Sequence, residues 1–361
     1  MKWSLRIGKL FGIPVYLHLT FLLLLLWIGI VSWQHEQSVR AGVEGVLFMA
    51  SLFGCVVLHE LGHALTARRY GIVTRDITLL PIGGVARLER MPEDPKQELW
   101  VALAGPAVNV VIAGVLYAFA GISSVVPDFS LTRGSFLDRM IMVNVVLVVF
   151  NLLPAFPMDG GRVLRALLAT RMEYTRATHL AAQIGQVMAL LFLLVGLLTH
   201  NFFLGFIAFF VWIGAAQEAS VVQMRHSLSG IPVRRAMVTS FQTLSPGDSL
   251  AKAIDATLAG TQRDFPVVDG TQLLGILLQK DLIAGIAHRG PDTTVSEVMQ
   301  TDFEVVQPSE MLDGAFRRLS ERRLSTAPVV SQGRLVGMIT MDNIGEFIAI
   351  SDALDKTKSL A

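Results

Sequence analysis

Long uncharged stretches dominate the first two thirds of the chain. No Asp, Glu, Lys or Arg occurs from Leu10 to His35, and this stretch contains the run FLLLLLWIGIVSW. About 20 apolar residues cross the hydrocarbon core of a bilayer, so the pattern predicts a first spanning helix. A cleaved signal peptide is not expected, because further apolar segments follow at once. The remaining predicted spans, which bring the total to about six, are 43–67, 99–121, 138–156, 178–198 and 202–221.

Charged residues are sparse and unevenly distributed. They make up 16% of the chain against 52% hydrophobic residues, whereas a soluble domain carries about 25% charged residues. Residues 1–222 hold 29 of the 59 charged residues, and the last 139 residues hold the other 30. This distribution predicts a membrane domain over 1–222 followed by a soluble part. The net charge of +1 argues against nucleic-acid binding, and with Cys55 as the single cysteine no internal disulfide can form.

Basic residues cluster at alternate connections between the predicted spans. Cytoplasmic loops are enriched in Lys and Arg, so both termini and the soluble part are predicted to lie on the cytoplasmic side of the cell membrane. The clusters precede the first span, follow the second and follow the fourth: Lys2, Arg6 and Lys9; Arg68, Arg69, Arg75, Arg87, Arg90 and Lys96; Arg162, Arg165, Arg171 and Arg176.

The connection between the second and third spans reads GIVTRDITLLPIGGVARLE. Its β-branched residues, interrupted by a break from Pro81 to Gly84, favour strands joined by a turn. The sequence therefore predicts a hairpin or small sheet at the membrane surface. An edge strand there could pair with an extended peptide; a structured loop with no contact to substrate is the alternative.

The second predicted span carries three ionisable side chains in the segment GCVVLHELGHALTARRYG. His59 and His63 are four residues apart, so one helical face presents both imidazoles to a single Zn²⁺. Glu60, beside the first ligand, can take a proton from water at the metal. Such side chains are costly in lipid and mark functional positions. A hydrogen-bonded polar cluster without metal is the alternative.

A catalytic zinc needs a third protein ligand, because it has three such ligands and one open position. The candidate is Asp159, in the segment NVVLVVFNLLPAFPMDGGR. Pro154 and Pro157 prevent a regular helix there, and irregular backbone at membrane depth occurs where protein or a water-filled cavity satisfies its polar groups. The alternative is that Asp159 only caps the helix that follows. None of the remaining histidines has an arrangement typical of a metal site.

Three motifs together resemble the site-2 protease family of intramembrane zinc metalloproteases. They are HELGH in one span, AGPAVN at 104–109 and NLLPAFPMDGGR at 151–162. The resemblance covers nearly all of residues 1–222 and implies a zinc-dependent endopeptidase. The expected substrate is a membrane-tethered protein with a single span, such as a signalling or transcription-regulating precursor, cut within or near its transmembrane helix.

The resemblance also implies roles for individual residues. His59, His63 and Asp159 are the implied zinc ligands, and Glu60 is the implied catalytic base. Asn151 matches an asparagine near the scissile peptide. The family's membrane-associated hairpin, which engages substrate as an added strand, corresponds to the implied substrate-binding residues Pro81, Ile82, Gly83 and Gly84.

The soluble part contains an internal repeat. Met237 and Met299, Pro246 and Pro308, and Gly275 and Gly337 are each 62 residues apart, and such agreement at one offset indicates duplication. Each copy predicts a small α/β unit of strand, turn, strand and helix. The copies resemble a tandem pair of cystathionine-β-synthase (CBS) domains, with boundaries at 229–290 and 291–353 and a disordered tail at 354–361.

The CBS resemblance implies adenine-nucleotide binding through a Gly, a Thr or Ser three residues later, and an Asp three residues after that. The first copy, GILLQKD, keeps Asp281 but has Leu278 at the hydroxyl position. The second, GMITMDN, keeps Thr340 but has Asn343 at the carboxylate position. Each cleft lacks one expected contact, so two alternatives stay open: nucleotide binding with Asp281 and Thr340, or a docking and homodimerisation module.

A different function class is also compatible with the sequence. CBS pairs are attached to ion transporters, and a CBS-gated ion or metal transporter could use the same His and Asp residues. Such a protein would have no need for Glu60 beside the first histidine.

Overall fold

The structure, a computed structural model, describes residues 3–89, 91–120 and 135–359. The chain divides into two compact units, Met1–Val222 and Gln223–Ala361.

A four-stranded sheet accompanies the helices of the first unit. Its strands in spatial order are β1 (Ser4–Leu10), β2 (Ile13–His18), β3 (Thr74–Leu80) and β4 (Gly83–Leu88). β1 and β2 form an antiparallel hairpin, β2 runs parallel to β3, and β3 pairs antiparallel with β4. The predicted sheet after the second span is thus confirmed, and β4 forms one of its edges.

The first hairpin was not predicted. Its turn is made by Phe11 and Gly12, which both have positive φ, and the first helix begins only at Leu19. The uncharged stretch from Leu10 therefore contains a strand before its helix. Hydropathy does not separate the two, because both are apolar.

Five helices of the first unit are long and apolar enough to cross a membrane, among the residues that the structure describes. They confirm five of the six predicted spans, and α4 and α5 are shorter. The helices are α1 (Leu19–Glu36), α2 (Val39–Arg69), α3 (Pro95–Ala120), α4 (Phe136–Asn151), α5 (Asp159–Ala169), α6 (Tyr174–Leu198) and α7 (Phe202–Leu228).

The fourth predicted span, 138–156, is shorter than expected. α4 has 16 residues and ends at Asn151, a length of about 24 Å. Pro154 and Pro157 lack the N–H that a continuing helix needs, so 152–158 forms turns that fold back over the start of α5. Gly161 makes this possible, because a Cβ there would lie 2.6 Å from the backbone nitrogen of Phe156.

α2 and α3 pack against each other and against neighbouring helices. α2 packs against α1 and α3, α3 against α4 and α5, and α5 against α6. Gly62 lets α2 approach α3 closely, since a Cβ there would lie 2.7 Å from the carbonyl oxygen of Ala104. The sheet packs on α2 through Ile77, which belongs to one buried cluster with Leu61 and Ala64.

The second unit consists of two similar halves, as the repeat predicts. Each half has a helix, an antiparallel strand pair and a second helix. The first half is α8 (Leu250–Leu258), β5 (Phe265–Asp269), β6 (Gln272–Leu277) and α9 (Gln279–Arg289); the second is α10 (Leu312–Arg322), β7 (Thr326–Ser331), β8 (Arg334–Thr340) and α11 (Met341–Ser359).

The leading segments of the two halves are exchanged. Val238 precedes the first half but pairs with Met338 of β8, and Gln300 precedes the second half but pairs with Ile276 of β6. The first segment of each copy therefore pairs with a strand of the other copy. The sequence repeat does not predict this exchange, because its offset of 62 residues is the same with or without it.

α11 extends to Ser359, through most of the segment 354–361 that its polar composition predicts to be disordered. The stretch DALDKTKS contains no glycine or proline to end a helix. Residues 360 and 361 lie outside the described residues.

Candidate metal centre

His59, His63 and Asp159 converge inside the first unit. α2 presents both imidazoles on one face, and α5 brings the carboxylate against them. All three side chains are buried. His59 Nε2 and His63 Nε2 lie 3.2 and 3.1 Å from Asp159 Oδ2 and 3.1 Å from each other. Among the described residues, this is the one group of three or more His, Cys, Asp or Glu whose ligand atoms converge in this way.

A chain of amides fixes the tautomer of His59. The Met140 carbonyl can only accept, so the 2.8 Å contact to it identifies Nδ2 of Asn144 as the donor. Oδ1 of Asn144 then accepts from Nδ2 of Asn109 at 2.8 Å, which turns Oδ1 of Asn109 toward Nδ1 of His59, 2.5 Å away. His59 must donate from Nδ1, and its Nε2 presents a lone pair.

A backbone carbonyl fixes the same tautomer in His63. Its Nδ1 lies 2.7 Å from the carbonyl oxygen of Val101 in α3. Because a carbonyl only accepts, the proton is on Nδ1 and the lone pair on Nε2. Partners of this kind, at the ring nitrogen away from the metal, are typical of metal-binding histidines.

The donor set fits a zinc ion. Two imidazole nitrogens and one carboxylate oxygen face each other, and all three atoms are hydrogen-bond acceptors. A proton shared between two of them would leave the third atom without a partner. A cation bound between the three atoms would interact with all of them. Ligand atoms arranged tetrahedrally about 2.0–2.1 Å from zinc lie about 3.3 Å apart. The distances between the three atoms, 3.1 to 3.2 Å, are close to this value.

Gly105 of α3 keeps the space beside these atoms clear. A Cβ on Gly105 would lie 2.6 Å from Nε2 of His59 and closer still to Nε2 of His63. Any larger residue would place carbon atoms against both metal-facing nitrogens. Gly105 belongs to the AGPAVN motif, as does Asn109.

Asp159 is the first residue of α5 rather than its N-cap, which is Met158. Its Oδ2 faces the histidines, and its Oδ1 lies 3.8 Å from Nη1 of Arg162, one turn later in α5. Helix capping therefore does not account for the Asp159 carboxylate, because one of its oxygens faces the two histidines and the other lies near Arg162.

Glu60 follows His59 on α2 and lies against the edge strand of the sheet. A Cβ on Gly84 of β4 would lie 2.9 Å from Cγ of Glu60 and 3.5 Å from its Oε1. β4 pairs on one side with β3, and its other side is the sheet edge. Glu60 therefore contacts β4, and no strand among the described residues pairs with the outer side of β4.

The other predicted substrate residues form the turn before this edge. Pro81 and Ile82 make the turn, Ile82 is largely exposed, and Gly83 begins β4 with a positive φ. Arg87 of β4 donates two hydrogen bonds to the buried carboxylate of Asp76 in β3, which raises the pKa of Arg87. This cross-strand pair holds β4 in place.

Asn151 is the last residue of α4. Its amide nitrogen donates to the carbonyl of Leu147 at 2.9 Å, within its own helix.

In the second unit the two retained CBS residues have hydrogen-bond partners within the chain. Asp281 accepts from Nε2 of Gln300 at 2.7 Å, and Thr340 donates to Oδ1 of Asn343 at 2.5 Å.

The sequence profile of peptidase family M50 matches residues 47–133 and 129–195, and that of the CBS domain matches residues 231–288 and 295–349. The chain is 34% identical over 358 residues to zinc metalloprotease MJ0392 of Methanocaldococcus jannaschii, a match that spans 99% of this chain and 100% of that protein. The chain belongs to peptidase family M50. The predicted family is thus confirmed: this M50 protein is a zinc metalloprotease with CBS domains and a multi-pass membrane part.

Two further similarities cover part of the chain. Stage IV sporulation protein FB of Bacillus subtilis is 29% identical over 126 residues, which are 35% of this chain and 41% of that protein. A solved site-2 protease of Methanocaldococcus jannaschii is 40% identical, covers 60% of this chain and 95% of its own, and superposes with a TM-score of 0.45.

Proposed function

We propose that this M50 protein is an intramembrane endopeptidase. It hydrolyses a peptide bond within or near the transmembrane helix of a membrane-tethered protein, such as a signalling or transcription-regulating precursor. One observation carries this proposal: three ligand atoms converge within a unit of membrane-spanning helices, and Glu60, which follows His59 in α2, contacts β4, a strand whose outer side pairs with no other described strand.

Each residue of the centre has its own role in this proposal. His59, His63 and Asp159 hold the zinc ion, which when bound acts as a Lewis acid toward the peptide carbonyl and acidifies water. Glu60 accepts a proton from the attacking water on its carboxylate and passes it to the amide nitrogen of the leaving peptide. Asn109 and the carbonyl of Val101 keep the two imidazoles in the tautomer that binds metal.

The edge of β4 is the proposed substrate site. A transmembrane helix satisfies its backbone hydrogen bonds internally, so the segment to be cut must first unwind. An unwound segment can regain hydrogen bonds by adding to an unpaired strand edge. At Gly83 and Gly84 this addition places the peptide beside Glu60, and Asn151 is proposed to contact the peptide near the cut.

The second unit is proposed to regulate the protease from the cytoplasm, where the clusters of Lys and Arg also locate both termini. An adenine nucleotide is the proposed ligand, at Asp281 and Thr340. Both groups already have hydrogen-bond partners within the chain, so a nucleotide must displace them. The alternative to nucleotide binding is that this unit associates two chains into a homodimer.

The test compares wild type with Glu60→Gln on a panel of single-span membrane proteins in detergent. The wild type should cut within the span, Glu60→Gln should not, and both should hold about one zinc per chain. His59→Ala should lose both zinc and cleavage. A metal transporter with the same ligands would be indifferent to Glu60, so metal flux into vesicles by both wild type and Glu60→Gln, without cleavage, would contradict the proposal.

A further inference from the structure

A buried arginine joins the helix that carries Asp159 to the rest of the first unit. Arg165 lies six residues after Asp159 in α5, and its side chain is 1% exposed. Its Nε donates to Oε1 of Glu98 in α3 at 2.8 Å, and its Nη2 donates to the same oxygen at 2.5 Å. Glu98 is itself 0% exposed.

Other elements surround the same guanidinium group. Nη1 donates to Oε1 of Glu218 in α7 at 2.7 Å. The guanidinium carbon lies 5.0 Å from the ring centres of Phe156, in the turn before α5, and Tyr174, at the start of α6. Arg165 thus connects α5 with α3, α6, α7 and the turn that precedes Asp159.

Fold stability alone does not account for this cluster. A buried ion pair is often no more stabilising than apolar residues of the same volume, because desolvation offsets the attraction. Oε2 of Glu98 is also buried without a hydrogen-bond partner among the described residues. The directional hydrogen bonds from Arg165 to Glu98 instead fix the position of α5 against α3.

The two helices that Arg165 and Glu98 join are those that complete the metal centre. α3 carries Glu98 and, three residues later, Val101, whose carbonyl orients His63. α5 carries both Arg165 and Asp159. A shift of α5 along or around its axis relative to α3 would move Asp159 Oδ2 from its place 3.1 to 3.2 Å from both imidazoles.

We propose that Arg165, held by Glu98, is a positioning residue that sets α5 against α3 and thereby presents Asp159 to His59 and His63 as the third metal ligand. This inference rests on the metal centre of the proposed function. It assigns Arg165 no contact with substrate or metal.

Zinc affinity and a Co²⁺ spectrum, measured on the purified full-length chain, test the role. Arg165→Met keeps the length of the side chain and removes its donors. We expect zinc to bind about 10- to 100-fold more weakly, as when an outer group that positions a metal ligand is lost. The visible absorption of the Co²⁺-loaded protein should weaken, because tetrahedral and higher coordination differ in intensity. Arg165→Lys, which restores the charge, should recover part of both.

Arg318→Met is the matched control. Arg318, in the second unit, is also held by two glutamates, Glu304 and Glu310, and its substitution should leave zinc affinity and the Co²⁺ spectrum at wild-type values. His63→Ala shows that the zinc measured belongs to the proposed centre; if His63→Ala binds zinc as the wild type does, the metal centre fails rather than the role of Arg165.

Glu98→Gln provides a second variant where Arg165→Met does not fold. It keeps the volume and an acceptor oxygen but removes the charge that holds Arg165, so zinc should again bind more weakly. Wild-type zinc affinity and an unchanged Co²⁺ spectrum in folded Arg165→Met would overturn the proposal, and so would the same result in folded Glu98→Gln.

Discussion

His59 and Asn109 are joined by a hydrogen bond of 2.5 Å between Nδ1 of the imidazole and Oδ1 of the amide. The two residues are 50 positions apart and lie on different helices, α2 and α3. Because the amide of Asn109 is itself oriented through Asn144, the bond fixes which nitrogen of His59 faces the metal centre.

Asn109→Ala should therefore weaken zinc binding. Without the acceptor, Nδ1–H of His59 is buried without a partner, and the ring can rotate or change tautomer. The dissociation constant for zinc should rise by about 10- to 100-fold, measured by competition with a chromogenic chelator. Asn109→Asp keeps an acceptor at the same place and should stay closer to wild type. Equal zinc affinity in Asn109→Ala and wild type would contradict the role given to Asn109.

Gly105→Ala should abolish zinc binding and cleavage together. The added Cβ would lie within van der Waals overlap of both metal-facing nitrogens, and α3 cannot retreat without losing its contact to His63. Metal content of the purified protein checks this. Gly114→Ala, in the same helix, meets no atom within 4 Å and gains helix propensity, so it should bind zinc as the wild type does. Full zinc content in Gly105→Ala would show that the centre lies elsewhere.

Local spacing predicted the part of the site that one helix determines. His59, Glu60 and His63 follow from the period of a helix. Pro154 and Pro157, which follow α4, made Asp159 a candidate ligand with helix capping as the alternative, and the family resemblance implied the ligand role. Asn109, Val101 and Arg165 act across helices, and only tertiary packing decides which partner each one meets. The hairpin of β1 and β2 was missed because an apolar strand and an apolar helix have the same hydropathy.

Gly84→Ala should reduce cleavage while zinc remains bound. Its Cβ would press on Cγ of Glu60 and on Cγ1 of Val56, each 2.9 Å away, and it would displace the base from the proposed path of the peptide. A displacement of about 1 Å costs about 100-fold in rate, measured as the turnover of a cleaved substrate. Gly8→Ala in β1 meets no atom within 4 Å and should cleave at the wild-type rate. Wild-type turnover of Gly84→Ala would argue against substrate binding at β4.

Asn343→Asp should create a nucleotide site where the sequence departs from the CBS pattern. In the wild type Thr340 both donates to Oδ1 of Asn343 and accepts from its backbone nitrogen at 3.1 Å, the arrangement of a helix cap at the start of α11. A carboxylate at 343 keeps that cap and adds a charged acceptor for a ribose hydroxyl. Such a bond contributes about 1.5 to 3 kcal/mol, so ATP should bind about 10- to 100-fold more tightly in calorimetric titration of the full-length chain.

The first cleft cannot be repaired in the same way. Leu278 is 5% exposed and packs with Ile276 and Met338, so a hydroxyl there would lose apolar contacts of the core. Asp281→Asn is the informative change in this cleft: it weakens the proposed nucleotide contact but can still accept a hydrogen bond from Gln300.

Two results together would show that regulation by nucleotide is wrong and that the CBS unit instead holds two chains together. Neither the wild type nor Asn343→Asp would bind ATP. The purified chain would have the mass of a dimer, and the dimer would dissociate when the CBS unit is removed.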